Sequence, residues 1–190
     1  HDNGIVELHN MLDAALALIQ RRGYHGFSFR DLAAEVGIKS ASVHYHFPTK
    51  NDLCAALVRR YSASLGAALA ALDASGVGPR ERLRRFAGVF LDMSQQRNLC
   101  LCGALAADSS ELDKATQREV QKALAAGENW LAKTLVDGRK AKVFRFKGAP
   151  KAAAHALLAG LQGALLLARV CDDDTGFTTA AHWLEGAVVA

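Results

Sequence analysis

The stretch Ser42-Val-His-Tyr-His-Phe-Pro-Thr-Lys50 sets two histidines and a tyrosine side by side. Imidazoles this close suggest a metal site or a catalytic base. On a helix, however, His44, Tyr45 and His46 point about 100° apart in succession, so the three cannot converge on one ion. The other histidines stand apart in sequence, at 1, 9, 25, 155 and 182. No GxSxG, HExxH or phosphate-binding loop accompanies them, which argues against an enzyme. The second reactive cluster is Cys100-Leu-Cys102-Gly. Arg97 and a helix start nearby would lower a thiol pKa here; otherwise both cysteines serve as small buried hydrophobes. Two cysteines two residues apart on a helix point in different directions, so a disulfide between them would be strained. None of the spacings among the four cysteines marks zinc, and all four cysteines read as reduced thiols of a cytoplasmic protein. No metal or cofactor is expected.

The elements that must position these groups are helices. Half of the 190 residues are hydrophobic, with many Ala and Leu and few aromatics. Ile5, Leu8, Leu12, Leu16 and Ile19 recur at helical spacing, and Gly23 closes that helix. Ser28 caps a short helix over 29–35, with Asp31 three residues on, and Gly37 stops it. A second short helix runs from Ser40 until Pro48 forbids it. Thr49 caps a long helix over 50–73, and 75–79 is a linker. Further helices are expected over 79–96, 101–107, 112–136, 149–170 and 175–189, with a basic connection over 138–148. The apolar run 152–168 is interrupted by His155, Gly160, Gln162 and Gly163, and reads as too short and too polar to cross a membrane. No signal peptide is visible. The chain begins at His1 rather than Met, so an N-terminal arm is not judged.

Residues 29–47 carry a helix-turn-helix pattern. Ala33 lets two helices cross closely, Gly37 provides the turn, and Leu32, Val36, Ile38 and Val43 form the shared apolar face. The second helix would enter the major groove by its N-terminus. Ser40, Ala41 and Ser42 are short enough to press in, Lys39, Ser40 and Ser42 reach bases or phosphates, and Lys50 is placed for phosphate. The net charge of +4 permits nucleic acid without demanding it. Through Arg60, seven basic residues face six acidic ones, so local placement must carry the interaction.

Phe27 to Leu53, reading FSFRDLAAEVGIKSASVHYHFPTKNDL, resembles the DNA-binding head of the tetracycline-repressor (TetR) family of bacterial regulators. The resemblance implies that Ser28 and Lys50 bind phosphates. It implies that His44 and Tyr45 do so too or touch a thymine methyl, and that Lys39 to Ser42 read bases together with Arg30. His44 departs from the family's usual Tyr, which would make its phosphate contact pH-sensitive.

The expected architecture is all-α: a three-helix DNA-binding head (residues 1–50) joined by a long helix to a larger ligand-binding and dimerisation body (51–190). Leu157, Leu158, Leu161, Leu165 and Leu166 form a wide apolar surface, with Gly160 and Gly163 allowing close approach and Trp183, Leu184 and Val188 adding to it. That surface suits a homodimer, and the family resemblance implies a four-helix interface there. Phe86, Phe90, Met93, Trp130, Leu131 and Gln162 are candidate lining residues for a small-molecule inducer. By the resemblance, the inducer spreads the two heads and releases a palindromic operator on double-stranded DNA. Repression is the default outcome. The basic connection reads as a solvated loop that could meet residues 172–174 or attract an anion. The alternatives are a thiol-sensing regulator using Cys100 and Cys102, and a helical adaptor or enzyme without specific DNA binding.

Overall fold

In the computed structural model, residues 2–189 are described. His1 and Ala190 lie outside the described residues, and so do the side chains of Asp2, Asn3 and Asp174. The helices are α1 (Asp2–Arg22), α2 (Phe29–Val36), α3 (Ser40–His46), α4 (Lys50–Ala74), α5 (Pro79–Gln95), α6 (Leu101–Ala107), α7 (Lys114–Lys140), α8 (Pro150–Cys171) and α9 (Asp174–Gly186), with a 3-10 turn at Ser109–Glu111. Among the described residues there is no β-strand, only a single antiparallel bridge between Phe144 and Val189.

The chain packs as two compact units. The first combines the chain up to Ala63 with Leu101–Ala123, and the second combines Ser64–Cys100 with the chain from Leu124 onward. This division differs from a boundary at residue 50. The first unit keeps the first half of α4 and recruits α6, the 3-10 turn and the start of α7.

In the first unit, Met11, Ala15 and Leu18 of α1 are fully buried together with Leu12 and Ile19. Ile5 is exposed and Leu8 and Leu16 are only half-buried, so the buried rail lies one position round from the expected stripe. Met11, Ala15 and Leu18 fit helical spacing as well as the expected stripe does, and spacing alone does not choose between the two. Leu32, Val43, Leu53, Leu57, Leu101 and Leu105 complete the core at 2% exposure or less. Arg60 of α4 bonds the His9 carbonyl at 3.1 Å and pairs with Asp13, fastening α4 to α1.

In the second unit, α8 packs on α5 and α9. Arg82 bridges Asp73 (3.4 Å) and Asp137 (3.2 Å). Helix α7 continues two residues past Gly138, where a loop had been expected. A Cβ at Gly138 would run into the Phe144 ring, so this glycine serves ring contact rather than helix termination. Arg139 is exposed, and its guanidinium stacks 3.9 Å from the Phe146 centroid and donates to the Phe146 and Gly148 carbonyls. Asp172 pairs with Arg97 and not with the basic connection, while Asp173 caps α9 by accepting from the Thr175 amide at 2.9 Å. Helix α9 stops at Gly186 because the Arg145 amide takes the Val188 carbonyl, drawing the tail into the Phe144–Val189 bridge. Helix α8 is long and apolar enough to span a bilayer by length and composition, contrary to expectation. Its buried residues, among them Ala154, Leu161 and Ala168, instead serve the core of this unit.

Candidate nucleic-acid interface

The head begins with a reciprocal cap. The Ser28 amide donates to Asp31 Oδ2 at 2.7 Å, its hydroxyl donates to the same oxygen at 2.6 Å, and Ser28 Oγ accepts from the Asp31 amide at 3.3 Å. Those Ser28 hydrogen bonds hold the Asp31 carboxyl below the ordinary carboxylate range. Helix α2 ends at Gly37, whose φ of 77° is left-handed, and the amides of Gly37 and Ile38 both donate to the Ala33 carbonyl. The chain is then extended at Lys39 and enters α3.

Val43 is the only fully buried residue of α3. Lys39, Ala41, His44 and Tyr45 are exposed, Ser40, Ser42 and His46 half-buried. Tyr45 stands 84% exposed. The His44 ring meets Phe29 edge-on at 4.8 Å, which joins the end of α3 to the start of α2. Ser28 and Arg30 are exposed at that same end of α2. No carboxylate occurs anywhere in residues 37–51. The nearby acids Asp31 and Asp52 are spent as helix caps, Asp52 accepting from the Thr49 amide at 2.9 Å. A head of balanced charge therefore presents an α3 surface that carries no carboxylate.

Lys50, expected to meet phosphate, is engaged within the head. Its ammonium turns inward and donates to the carbonyls of Tyr24 and Phe27, the latter at 2.5 Å. It also lies 4.6 Å and 4.1 Å from the ring centroids of Tyr24 and Phe27. Burial draws the Lys50 pKa below its ordinary value, while Cys54, Asp108 and Asp31 pull it back up. The Cys54 thiol beneath is pushed up to about 12 by its own burial. Lys50 thus clamps the turn between α1 and α2 onto α4. Sequence spacing showed a lysine after a cap, but not that the carbonyls of a turn some 25 residues earlier would face it.

A second joint had no counterpart in the sequence reading. The Asn51 side chain accepts from the Asp113 amide (3.0 Å) and donates to the Glu111 carbonyl (3.3 Å), and Thr116 Oγ1 donates to the Asn51 carbonyl (3.2 Å). Asp113 caps α7 by accepting from the Thr116 amide at 2.7 Å, and the hydrogen bonds from Thr116 hold its carboxyl low. The start of α4 is thereby bonded to the start of α7 and the turn before it. The signal available was Asp113-x-x-Thr116, a capping pattern, which places a helix start but not its partner.

In the body, Phe86 stacks on Trp130 at 5.6 Å with 18° between planes, and Phe90 lies 5.7 Å from Phe86. Trp130 Nε1 donates to Asp73 at 3.2 Å, and Leu131 is fully buried. Met93 and Gln162 are half-buried. Gln162 Nε2 and Thr134 Oγ1 are buried without a hydrogen-bond partner. Of the expected dimer residues, Leu158, Leu161 and Leu165 are buried within this unit, which corrects their assignment to an outward face. Helical periodicity turns Leu166, Leu167 and Val170 (84% exposed) to the other side, with Trp183 of α9 (74% exposed). Leu184 is half-buried and closes on Gly160, where a Cβ would come within 2.7 Å of Leu184 Cδ1. Cys100 and Cys102 are both buried, and the exposed cysteine is Cys171. Arg97, expected to acidify a thiol, is engaged with Asp172.

A left-handed turn between two short helices, in a chain that is otherwise helical, defines a helix-turn-helix protein. The family model "Bacterial regulatory proteins, tetR family" matches residues 11–57, and "Tetracyclin repressor-like, C-terminal domain" matches 79–184. The chain belongs to the TetR family of transcriptional regulators. A TetR-family transcriptional regulator from Agrobacterium tumefaciens is 30% identical, with a TM-score of 0.93 over 98% of this chain and 100% of that one. A TetR transcriptional regulator from Legionella pneumophila is 28% identical, with a TM-score of 0.85 over 94% and 95%. The HTH-type transcriptional repressor DhaR of Mycobacterium sp. (strain GP1) is 22% identical over 85% of this chain and 81% of its own.

Proposed function

We propose that the protein is a cytoplasmic homodimeric repressor that reads a palindromic operator and is released by a small-molecule inducer. The observation that carries this reading is the exposed, carboxylate-free surface of α3 behind the Gly37 turn. Lys39, Ser40, Ala41 and Ser42 at the leading end of α3 read base edges with Arg30. His44 and Tyr45 grip phosphate or a thymine methyl, while Ser28, whose amide and hydroxyl both donate to Asp31, anchors the start of α2 behind them. Lys50 acts from behind, by fixing the turn that sets the angle of α2 and α3. Repression follows the relative DhaR, whose name describes a repressor.

Two copies join through the outward face of α8 and α9, with Leu166, Leu167, Val170 and Trp183 as its exposed apolar members. A face this apolar, rimmed by polar residues, is what association covers. The inducer lies in the body among Phe86, Phe90 and Trp130. The partnerless Gln162 Nε2 and Thr134 Oγ1 support this, since buried polar atoms are ordinarily satisfied. The Asn51–Asp113–Thr116 joint transmits a shift of α7 to α4 and the head.

The test is selection of bound fragments from the source genome. An enriched palindrome is expected. Binding without a motif, lost as salt rises, would reflect phosphate attraction alone and overturn the reading.

A further inference from the structure

Helices α5 and α9 enclose a groove of about 950 Å³ that no part of the regulatory reading uses. It lies apart from the aromatic cluster of Phe86, Phe90 and Trp130, none of which lines it. Its walls are small and apolar: Ala87 and Gly88 on α5, Ala181 and Gly186 on α9, with Leu91 and Phe177 at one end.

Gly88 has no internal explanation. It sits in the middle of α5, where glycine costs roughly 1 kcal/mol relative to alanine. A Cβ there would meet nothing within 4 Å, so no neighbour in the fold demands its absence. Gly138 and Gly160, by contrast, each have a side chain pressed against them. Gly66 and Gly163 are equally open mid-helix glycines, so Gly88 is set apart by lining this groove, which a larger side chain there would fill.

The charge at the other end of the groove states what that is. Arg80 and Arg84 stand on the α5 rim, with His182 and Glu185 opposite. Glu185 lies 3.9 Å from Arg80. Arg84 has only a share of Glu81, at 3.5 Å, because Arg85 takes the same carboxylate at 2.9 Å. The rim therefore carries cationic charge that its own acids leave incompletely answered. From Arg80 to Leu91 the groove follows about 16 Å of helix, the reach of an extended chain of roughly ten to twelve carbons.

We infer that the α5–α9 groove binds a single-chain amphiphilic carboxylate, its head group on Arg80 and Arg84 and its tail over Gly88 toward Leu91 and Phe177. Bidentate guanidinium contact selects a carboxylate over a neutral head. The groove is a second effector site, separate from the inducer cluster.

Calorimetric titration with decanoate below its micelle concentration, with decanol as the uncharged control, tests this on the full chain. Wild type is expected to bind decanoate at least tenfold more tightly than decanol. Gly88→Leu, which projects into open groove and favours helix, should weaken decanoate tenfold or more with thermal stability kept. Arg84→Gln should abolish the preference for decanoate and leave decanol binding as it was. Equal decanoate affinity in wild type and Gly88→Leu, or equal affinity for the two probes, would overturn the assignment. So would a drop in molecular mass of Gly88→Leu by sedimentation velocity, which would mean that a second copy of the chain fills the groove.

Discussion

At the scale of residues, the head carries exposed side chains proposed to touch DNA and engaged ones that hold that surface in place. Tyr45 is 84% exposed and contributes little to the fold. Tyr45→Ala should leave the unfolding free energy within about 0.5 kcal/mol while lowering operator affinity, read by fluorescence anisotropy. Lys50 should behave in the opposite way. Lys50→Met strands two carbonyls and should cost about 2 kcal/mol in chemical denaturation. Unchanged stability in Lys50→Met, with the salt slope of DNA binding reduced by about one, would make it a phosphate contact after all. The contrast shows what the sequence could convey. Ser28, Gly37 and Val43 act through neighbours a few residues away, so local spacing revealed the cap, the turn and the buried face. Lys50 acts on carbonyls 23 and 26 residues earlier, and no local pattern encodes that.

At the scale of elements, the caps were legible and the partnerships were not. Pro79 and Pro150 start α5 and α8 as proline at a first turn should. The leucines of α8 look alike in sequence, and only the packed helix shows which face is inward. That is why Leu158, Leu161 and Leu165 were expected outside and are found within, while Leu167 and Val170 went unremarked. The joint at Asn51 gives an element-level prediction. Asn51→Ala removes the hydrogen bonds from α4 to Glu111 of the 3-10 turn and to Asp113 before α7, and should cost about 1–2 kcal/mol. Faster amide exchange confined to the first turn of α7 would locate that loss, whereas exchange accelerated only in α3 would contradict the joint.

At the scale of the whole molecule, association and acid stability can be predicted. Leu167→Glu combined with Trp183→Glu charges the outward face of α8 and α9 and should give monomers in sedimentation velocity, with operator affinity reduced by orders of magnitude. A dimer persisting in that variant would move the interface elsewhere. The carboxyls of Asp31, Asp73, Asp113 and Asp173 are all held below their ordinary range, chiefly by hydrogen bonds from Ser28, Lys133, Thr116 and Thr175. The unfolded chain therefore binds more protons than the folded one as pH falls. Melting temperature should be level from pH 7 to about pH 5, then fall once pH drops below the ordinary aspartate value near 3.9.

The first packing unit is assembled from two separate stretches of chain, the second ending at Ala123. During synthesis, the helix-turn-helix emerges early but lacks Leu101, Leu105 and Leu112, which its unit buries. The sequences that read DNA are thus translated well before the residues that complete their support. At roughly 5–20 residues per second, some seconds pass between the two events. A nascent or prematurely terminated chain would carry the full recognition segment on an unfinished foundation. Ribosome-stalled fragments ending before α6 should be readily digested by protease, and those extended well past Ala123 should resist it.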